Sequence, residues 1–206
     1  MNSTSSRNDN ELTLQSYQHR TDEYVTGTPP LDDITKSWID QALSYLSADG
    51  TILEIGSGFG RDAEYIREKG FLLECSDAVP NFVSILKEKG FSARNLNVLK
   101  DVIQAGYNLI IADAVLIHFT PEECAKVIDK IRTALQKGGI FALRMKKGSG
   151  PVWSDEKLGA PRYFYYWQEE DLIKLLTDHG FKCLDTKESY TSHNDTNWMH
   201  LVAIKN

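Results

Sequence analysis

From Gly50 onward, short apolar runs alternate with amphipathic stretches, and three of those stretches end on one punctuation: Lys69-Gly70-Phe71, Lys89-Gly90-Phe91 and His179-Gly180-Phe181. Glycine accepts the left-handed conformation that closes a helix, and a basic side chain beside it suits the negative end of the helix dipole. Repeated stops of this kind restrict the chain to strand-helix units. Strands are predicted at 51–55, 71–76, 93–96, 108–112, 140–145, 181–186 and 198–204, and helices at 60–69, 81–89, 121–136 and 168–178. Right-handed crossovers wind such units into an α/β, doubly wound sheet with helices on both faces. The polar stretch 188–197 leaves no helix between the last two strands, which therefore form an antiparallel pair.

Upstream, residues 1–10 are rich in Ser and Asn and read as a disordered tail. A weakly helical stretch, 11–24, is broken by Thr26-Gly27-Thr28-Pro29-Pro30. Ile34, Trp38, Ile39, Ala42, Leu43 and Leu46 then recur at helical spacing over 32–46. A length of 206 residues suits one domain over 11–206. The net charge of −6 and the pI near 5.4 repel phosphate backbones, and the only small basic cluster is Arg144, Lys146 and Lys147, which argues against a nucleic-acid partner. Cys75, Cys124 and Cys183 are odd in number and widely spaced, matching neither a disulfide framework nor a CxxC metal site. A polar start and no apolar run of about 20 residues leave a cytoplasmic chain, without membrane association, as the expectation. His193, Asp195 and His200 match no standard zinc spacing, so no metal is expected.

The run Leu53-Glu54-Ile55-Gly56-Ser57-Gly58-Phe59-Gly60 sets glycines at the carboxyl end of the first strand, where backbone can approach a ligand closely. A dinucleotide fingerprint starting at Gly56 would need glycine at position 61, where Arg61 stands. Asp77 ends the second strand, about 20 residues further on, where a carboxylate can accept both hydroxyls of a ribose. Its alternative role is a cap on the helix that Pro80 opens.

With this loop and its preceding acid, Glu54 to Gly60, the chain resembles the class I S-adenosylmethionine-dependent methyltransferases over nearly all of 51–206. The resemblance implies the sheet order 3-2-1-4-5-7-6 with strand 7 antiparallel. It implies S-adenosylmethionine as cofactor and S-adenosylhomocysteine as product. Glu54 would help place the methionine part, Asp77 the ribose, and Asn97, followed by Val98, the adenine. Around them the cofactor would meet Gly56, Ser57, Gly58, Gly60, Arg61, Ala78 and Ala112. An asparagine carbonyl must be oriented toward the adenine amino group to serve there, and an ordinary turn is the other reading of Asn97. Tyr17 and Tyr24 resemble the tyrosines of a first helix that lids the cofactor, making 11–48 a helical lid; simple packing of that helix is the other reading. Gly60-Arg61-Asp62 and the run from Arg162 to Trp167 resemble a subgroup of small methyltransferases of uncertain substrate.

The methyl acceptor is expected beyond the fourth strand, at Ala112 to Phe119. That segment lacks the Asn/Asp-Pro-Pro-Tyr/Phe tetrad and the Pro-Cys context of nucleobase enzymes. His118 is a candidate general base and Asp113 a candidate for facing the sulfonium or the acceptor. Arg144, Arg162, Tyr163 and Tyr166 are candidate substrate contacts, since aromatics beside two arginines suit a planar or anionic small molecule; the alternative is an aromatic hairpin covering the core. The reaction expected is methyl transfer to an O, N or S atom of a small molecule by a monomer or homodimer. An RNA or protein methyltransferase and a non-catalytic adenosyl-binding module remain open.

Overall fold

The computed structural model describes residues 9–192 and 195–206. Three helices, α1 (Asp9–His19), α2 (Thr21–Thr26) and α3 (Asp33–Leu43), precede the first strand. The chain then runs β1 (Ile52–Ile55), α4 (Arg61–Glu68), β2 (Leu73–Asp77), α5 (Pro80–Glu88), β3 (Ser92–Asn95) and β4 (Tyr107–Asp113). A short 3-10 turn, Leu116–His118, leads to α6 (Pro121–Ala134), β5 (Leu135–Lys146), β6 (Gly150–Ser154), β7 (Arg162–Tyr166), α7 (Glu169–Asp178), β8 (Phe181–Thr191) and β9 (Thr196–Lys205).

Seven strands form one sheet in the order β3-β2-β1-β4-β5-β9-β8, and β6 pairs with β7 as a separate ribbon. The pairings from β3 through β5 are parallel, and β9 is antiparallel to both β5 and β8. The expected order closed on 7-6; counted along the whole chain those places belong to β9 and β8. Residues 150–166 supply the two extra strands, the aromatic hairpin that the sequence offered as the alternative to a substrate wall. The expected polar connection 188–197 is also shorter, because β8 runs to Thr191 and β9 starts at Thr196 with its polar side chains spread along a half-buried edge. His193 and Asn194 lie outside the described residues.

Side chains alternate across the sheet with a period of two, so each strand feeds two cores. Leu109 and Ile111 pack with Trp38, Ile39 and Ala42 of α3 and Ile66 of α4. Ile110 and Ala112 face the other way, onto Val127, Ile128 and Ile131 of α6 and Leu172 and Leu176 of α7. Local sequence sets the helix starts: Asp32 accepts from Thr35 N–H at 2.7 Å, and Thr120 with Glu123 forms a reciprocal box ahead of Pro121.

At the amino end the helix begins earlier than expected, since Asp9 and Asn10 open α1. Asn10 is buried, and Thr13 returns its hydroxyl to the Asp9 carbonyl at 2.9 Å. Residues 9 and 10, expected in a disordered tail, thus belong to a helix; residues 1–8 of that expectation lie outside the described residues. Helix α1 is fastened to the ribbon, because Ser16 donates to the Pro161 carbonyl at 2.6 Å and Tyr163 N–H donates to Thr13 at 2.9 Å. Among the described residues no helix is long and apolar enough to cross a membrane.

Candidate functional site

Beyond the carboxyl ends of β1, β2, β4 and β5 the ribbon and α1–α2 roof over a cleft with two chambers. The larger, of about 430 Å³, takes in Glu54, Arg61, Asp62, Asp113, Arg144, Lys146, Lys157, Arg162 and Tyr166. The smaller, of about 90 Å³, takes in Asp77, Ala78, Asn97, Val98 and His118. Gly56, Gly58, Tyr17, Tyr24, Asp113 and Ala114 border both.

The three loop glycines all have positive φ and do different work. A Cβ on Gly56 would stand 2.3 Å from Val115, and one on Gly60 would stand 2.9 Å from Leu86, so both are held by packing. At Gly58 the nearest atom is a Tyr24 ring carbon at 3.7 Å, which leaves that backbone facing the cleft. Its N–H donates to Asp77 Oδ2 at 2.9 Å, and Val79 N–H donates to Oδ1 at 2.8 Å. One lone pair on each oxygen is used this way, leaving acceptor capacity for a ligand. Burial raises the Asp77 carboxyl to about 6 against these backbone donors.

Charge concentrates in the larger chamber. Arg61 donates to Asp62 Oδ1 at 2.8 Å and to Asp113 Oδ2 at 2.7 Å. Arg144 reaches both oxygens of Asp113 at 3.0 Å. Burial works to raise Asp113, but the Arg144 and Arg61 charges prevail and hold it below the ordinary carboxylate value. Glu54 and Asp62 are 2% and 4% exposed and are raised instead, first by burial and next by a neighbouring carboxylate, Asp62 and Asp113 respectively. Glu54 Oε2 and Asp62 Oδ2 are buried without a hydrogen-bond partner. Two acids in this condition make a strong receptor for a cationic donor.

The structure brings most of the sequence candidates together and reassigns several. His118 is buried; its Nδ1–H donates to the Tyr163 carbonyl at 2.6 Å and its Nε2 faces the Tyr17 hydroxyl at 3.1 Å. Loss of hydration, with the Arg162 and Lys146 charges, lowers it to about 3. The ring is therefore engaged at both nitrogens and holds the Tyr17 hydroxyl. Asp113 is a counter-ion for two arginines. Asn97 accepts from Leu99 N–H at 3.1 Å on one lone pair of its carbonyl, which leaves a second lone pair and the amide NH₂ for a ligand in the smaller chamber. Ser57 lines the larger chamber. Ala112, Gly60 and Tyr163 border neither chamber; the Tyr163 ring packs on Trp153 with centroids 5.7 Å apart. Alternation along β7 instead turns Arg162, Phe164 and Tyr166 to the cleft, while Phe164 also belongs to the core. The ribbon is thus wall and core cover together. Asp62, Lys146, Lys157 and Trp198 were not singled out as site residues; the helix position next to Arg61 is the sequence signal that identifies Asp62.

Tyr17 and Tyr24 stand edge to face with centroids 5.2 Å apart, and Tyr24 lies 5.3 Å from Phe82 of α5. Asn81 ties the same helix to α1–α2 through the Gln18 carbonyl and the Thr21 hydroxyl, both at 3.1 Å.

A family model described as a methyltransferase domain matches residues 30–186. No curated protein sequence matches the chain. Among solved structures, the DhpI-SAM-HEP complex is similar over 98% of this chain and 100% of that one, with a TM-score of 0.78 and 16% identity. The 1,6-didemethyltoxoflavin-N1-methyltransferase of Burkholderia thailandensis, bound to 1,6-didemethyltoxoflavin and S-adenosylhomocysteine, is 18% identical, with 94% of this chain and 85% of that chain covered at a TM-score of 0.72. The [4+2]-cyclase SpnF is 15% identical, with 95% and 96% covered at a TM-score of 0.73. At these identities the likeness is one of fold, and the cyclase shows that the fold is not tied to one reaction.

Proposed function

The chain belongs to the methyltransferase-domain family, and from that premise we propose that it transfers a methyl group from S-adenosylmethionine to an O, N or S atom of a small molecule. The observation that carries this reading is the pair of partnerless buried carboxyl oxygens, Glu54 Oε2 and Asp62 Oδ2, beside the Gly56–Gly58 backbone. An amino acid's ammonium satisfies such a pair. Asp77, oriented by the Gly58 and Val79 N–H groups, suits a ribose, and Asn97 with Val98 lines a chamber that suits an adenine edge. The donor set therefore fits the cofactor from one end to the other.

When bound, S-adenosylmethionine supplies an electrophilic sulfonium methyl. The protein's own task is alignment and exclusion of water. Tyr17 and Tyr24 close the cleft over the glycine loop, and His118 holds Tyr17 in place. Arg61, Arg144 and Asp113 form a rigid floor between the cofactor end and the ribbon. The small-molecule structural neighbours favour an acceptor of that size.

Calorimetric titration with S-adenosylmethionine, S-adenosylhomocysteine and NAD tests the reading. Binding of the two adenosyl ligands and not NAD supports it, and binding of NAD alone overturns it. The variant Asp77→Ala should weaken adenosyl binding by about 1–3 kcal/mol; undiminished affinity would remove Asp77 from the ribose role.

A further inference from the structure

The five cationic side chains of the larger chamber divide into two sets. Arg61 and Arg144 are neutralised by Asp62 and Asp113 at distances of 2.7–3.0 Å. Lys146, Lys157 and Arg162 have no carboxylate partner among the described residues. Arg162 is 5% exposed, its Nε is without a partner, and among the described residues its one side-chain hydrogen bond is a long 3.4 Å contact to the Tyr17 hydroxyl. Among the described residues, the Lys146 ammonium hydrogen-bonds only the Tyr166 hydroxyl at 3.3 Å and the Lys157 ammonium only Thr28 Oγ1 at 2.7 Å. A buried, unpaired guanidinium is costly unless something else supplies its counter-charge.

These three charges converge. The Lys146 ammonium and the Arg162 guanidinium both stand over the Phe164 ring, 4.1 and 5.1 Å from its centroid, while Lys157 lies over Tyr24 at 4.1 Å. Lys146 is lowered to about 8, first by lost hydration and then by Arg162. Lys157 is likewise lowered to about 8, by lost hydration and by Arg162, Arg61 and Lys146. Glu156 borders the same chamber and eases the repulsion at Lys146 without forming an ion pair. A like-charged cluster facing a cavity is an anion receptor.

We propose that Lys146, Lys157 and Arg162 receive the methyl acceptor, and that this acceptor is a small-molecule oxyanion, a carboxylate or phosphoryl group, methylated on its anionic oxygen. The inference rests on the methyl-transfer reading of the cleft. It also needs no base from His118, which is engaged at both nitrogens. A lone pair of the oxyanion forms the new O–CH₃ bond as the S–CH₃ bond breaks with its electrons passing to sulfur. The sulfonium becomes a neutral thioether, the oxyanion loses one negative charge, and no proton moves.

The test uses the full chain saturated with S-adenosylhomocysteine and titrated with benzoate, methylphosphonate and the neutral isostere benzamide. The expected result is anion binding roughly tenfold or more tighter than benzamide binding, lost in Lys146→Gln and in Lys157→Gln while S-adenosylhomocysteine affinity holds. Preference for methylphosphonate assigns a phosphoryl acceptor, and preference for benzoate a carboxylate. With the adenosyl ligand bound, equal affinity for benzoate and benzamide, or anion binding unchanged in both variants, overturns the inference alone. Variants that weaken S-adenosylhomocysteine instead overturn it by assigning the lysines to the cofactor's own carboxylate. Failure of the wild-type chain to bind S-adenosylhomocysteine overturns the methyl-transfer reading and this inference with it.

Discussion

The Tyr17 hydroxyl lies 3.1 Å from His118 Nε2, joining the first helix to the turn after β4 across 101 residues of sequence. Because Nδ1–H is donated to the Tyr163 carbonyl, Nε2 is the acceptor and the phenol the donor. A lid tyrosine, an imidazole and the ribbon thus form one chain of hydrogen bonds. With His118 lowered to about 3, activity should show no imidazole ionisation between pH 5 and 8, and NMR should find the ring neutral throughout that range. Tyr17→Phe should loosen α1 by about 0.5–1.5 kcal/mol, read as faster amide exchange over that helix. An inflection near 6.5 in the rate profile that disappears in His118→Asn would return the base role to the histidine.

Asp113 is the shared anion of Arg61 and Arg144, and all three are largely withdrawn from water. Its removal leaves Arg144 without a carboxylate partner and Arg61 with Asp62 alone. Asp113→Ala should therefore destabilise the protein by about 3–5 kcal/mol in urea denaturation, the range for an uncompensated buried charge. Asp113→Asn, which keeps two hydrogen-bond positions, should lose less. A change below about 1 kcal/mol in the alanine variant would show that water or rearrangement supplies the missing charge balance.

The loop glycines separate folding from binding. Gly56→Ala meets Val115 at 2.3 Å in a left-handed conformation, so it should destabilise the ligand-free protein by more than the roughly 1–2 kcal/mol of the backbone strain alone. Gly58→Ala has the same kind of strain without the collision, because its new methyl would project toward Tyr24 at 3.7 Å in the cleft. Its main effect should be on S-adenosylhomocysteine affinity by calorimetry. Equal melting temperatures for the two variants would contradict the division.

How far the sequence could carry this site depended on whether local or cross-sheet geometry made it. The three helix stops were legible because each is decided within a few residues, and Gly70, Gly90 and Gly180 have φ of 88, 79 and 80°. The turn of the glycine loop was legible for the same reason, whereas Asp77 reaches the Gly58 N–H across 19 residues because β1 and β2 are neighbours. Asp113 and Arg144 are cross-strand partners, 31 residues apart, and only the adjacency of β4 and β5 makes them an ion pair. The exclusion of Tyr163 from the cleft turns on the parity of β7, which one residue of register reverses. Lys157 enters through the fold of the ribbon rather than through any local pattern.

Glu54 connects cofactor binding to pH. Its folded-state value lies above the ordinary 4.5, through burial and the nearby Asp62. Between those two values the folded protein holds more protons than the unfolded chain, so stability falls as pH rises. The ligand-free protein should lose melting temperature from about pH 5 upward through neutrality, and Glu54→Gln should flatten that decline. An ammonium ligand favours the ionised carboxylate and must displace the proton. Binding of S-adenosylhomocysteine near pH 7 should therefore release protons, visible as an apparent enthalpy that changes between buffers of different ionisation enthalpy. The release should shrink in Glu54→Gln while affinity falls. Identical proton release in wild type and variant would separate Glu54 from the ammonium and leave Asp62 as the group that titrates.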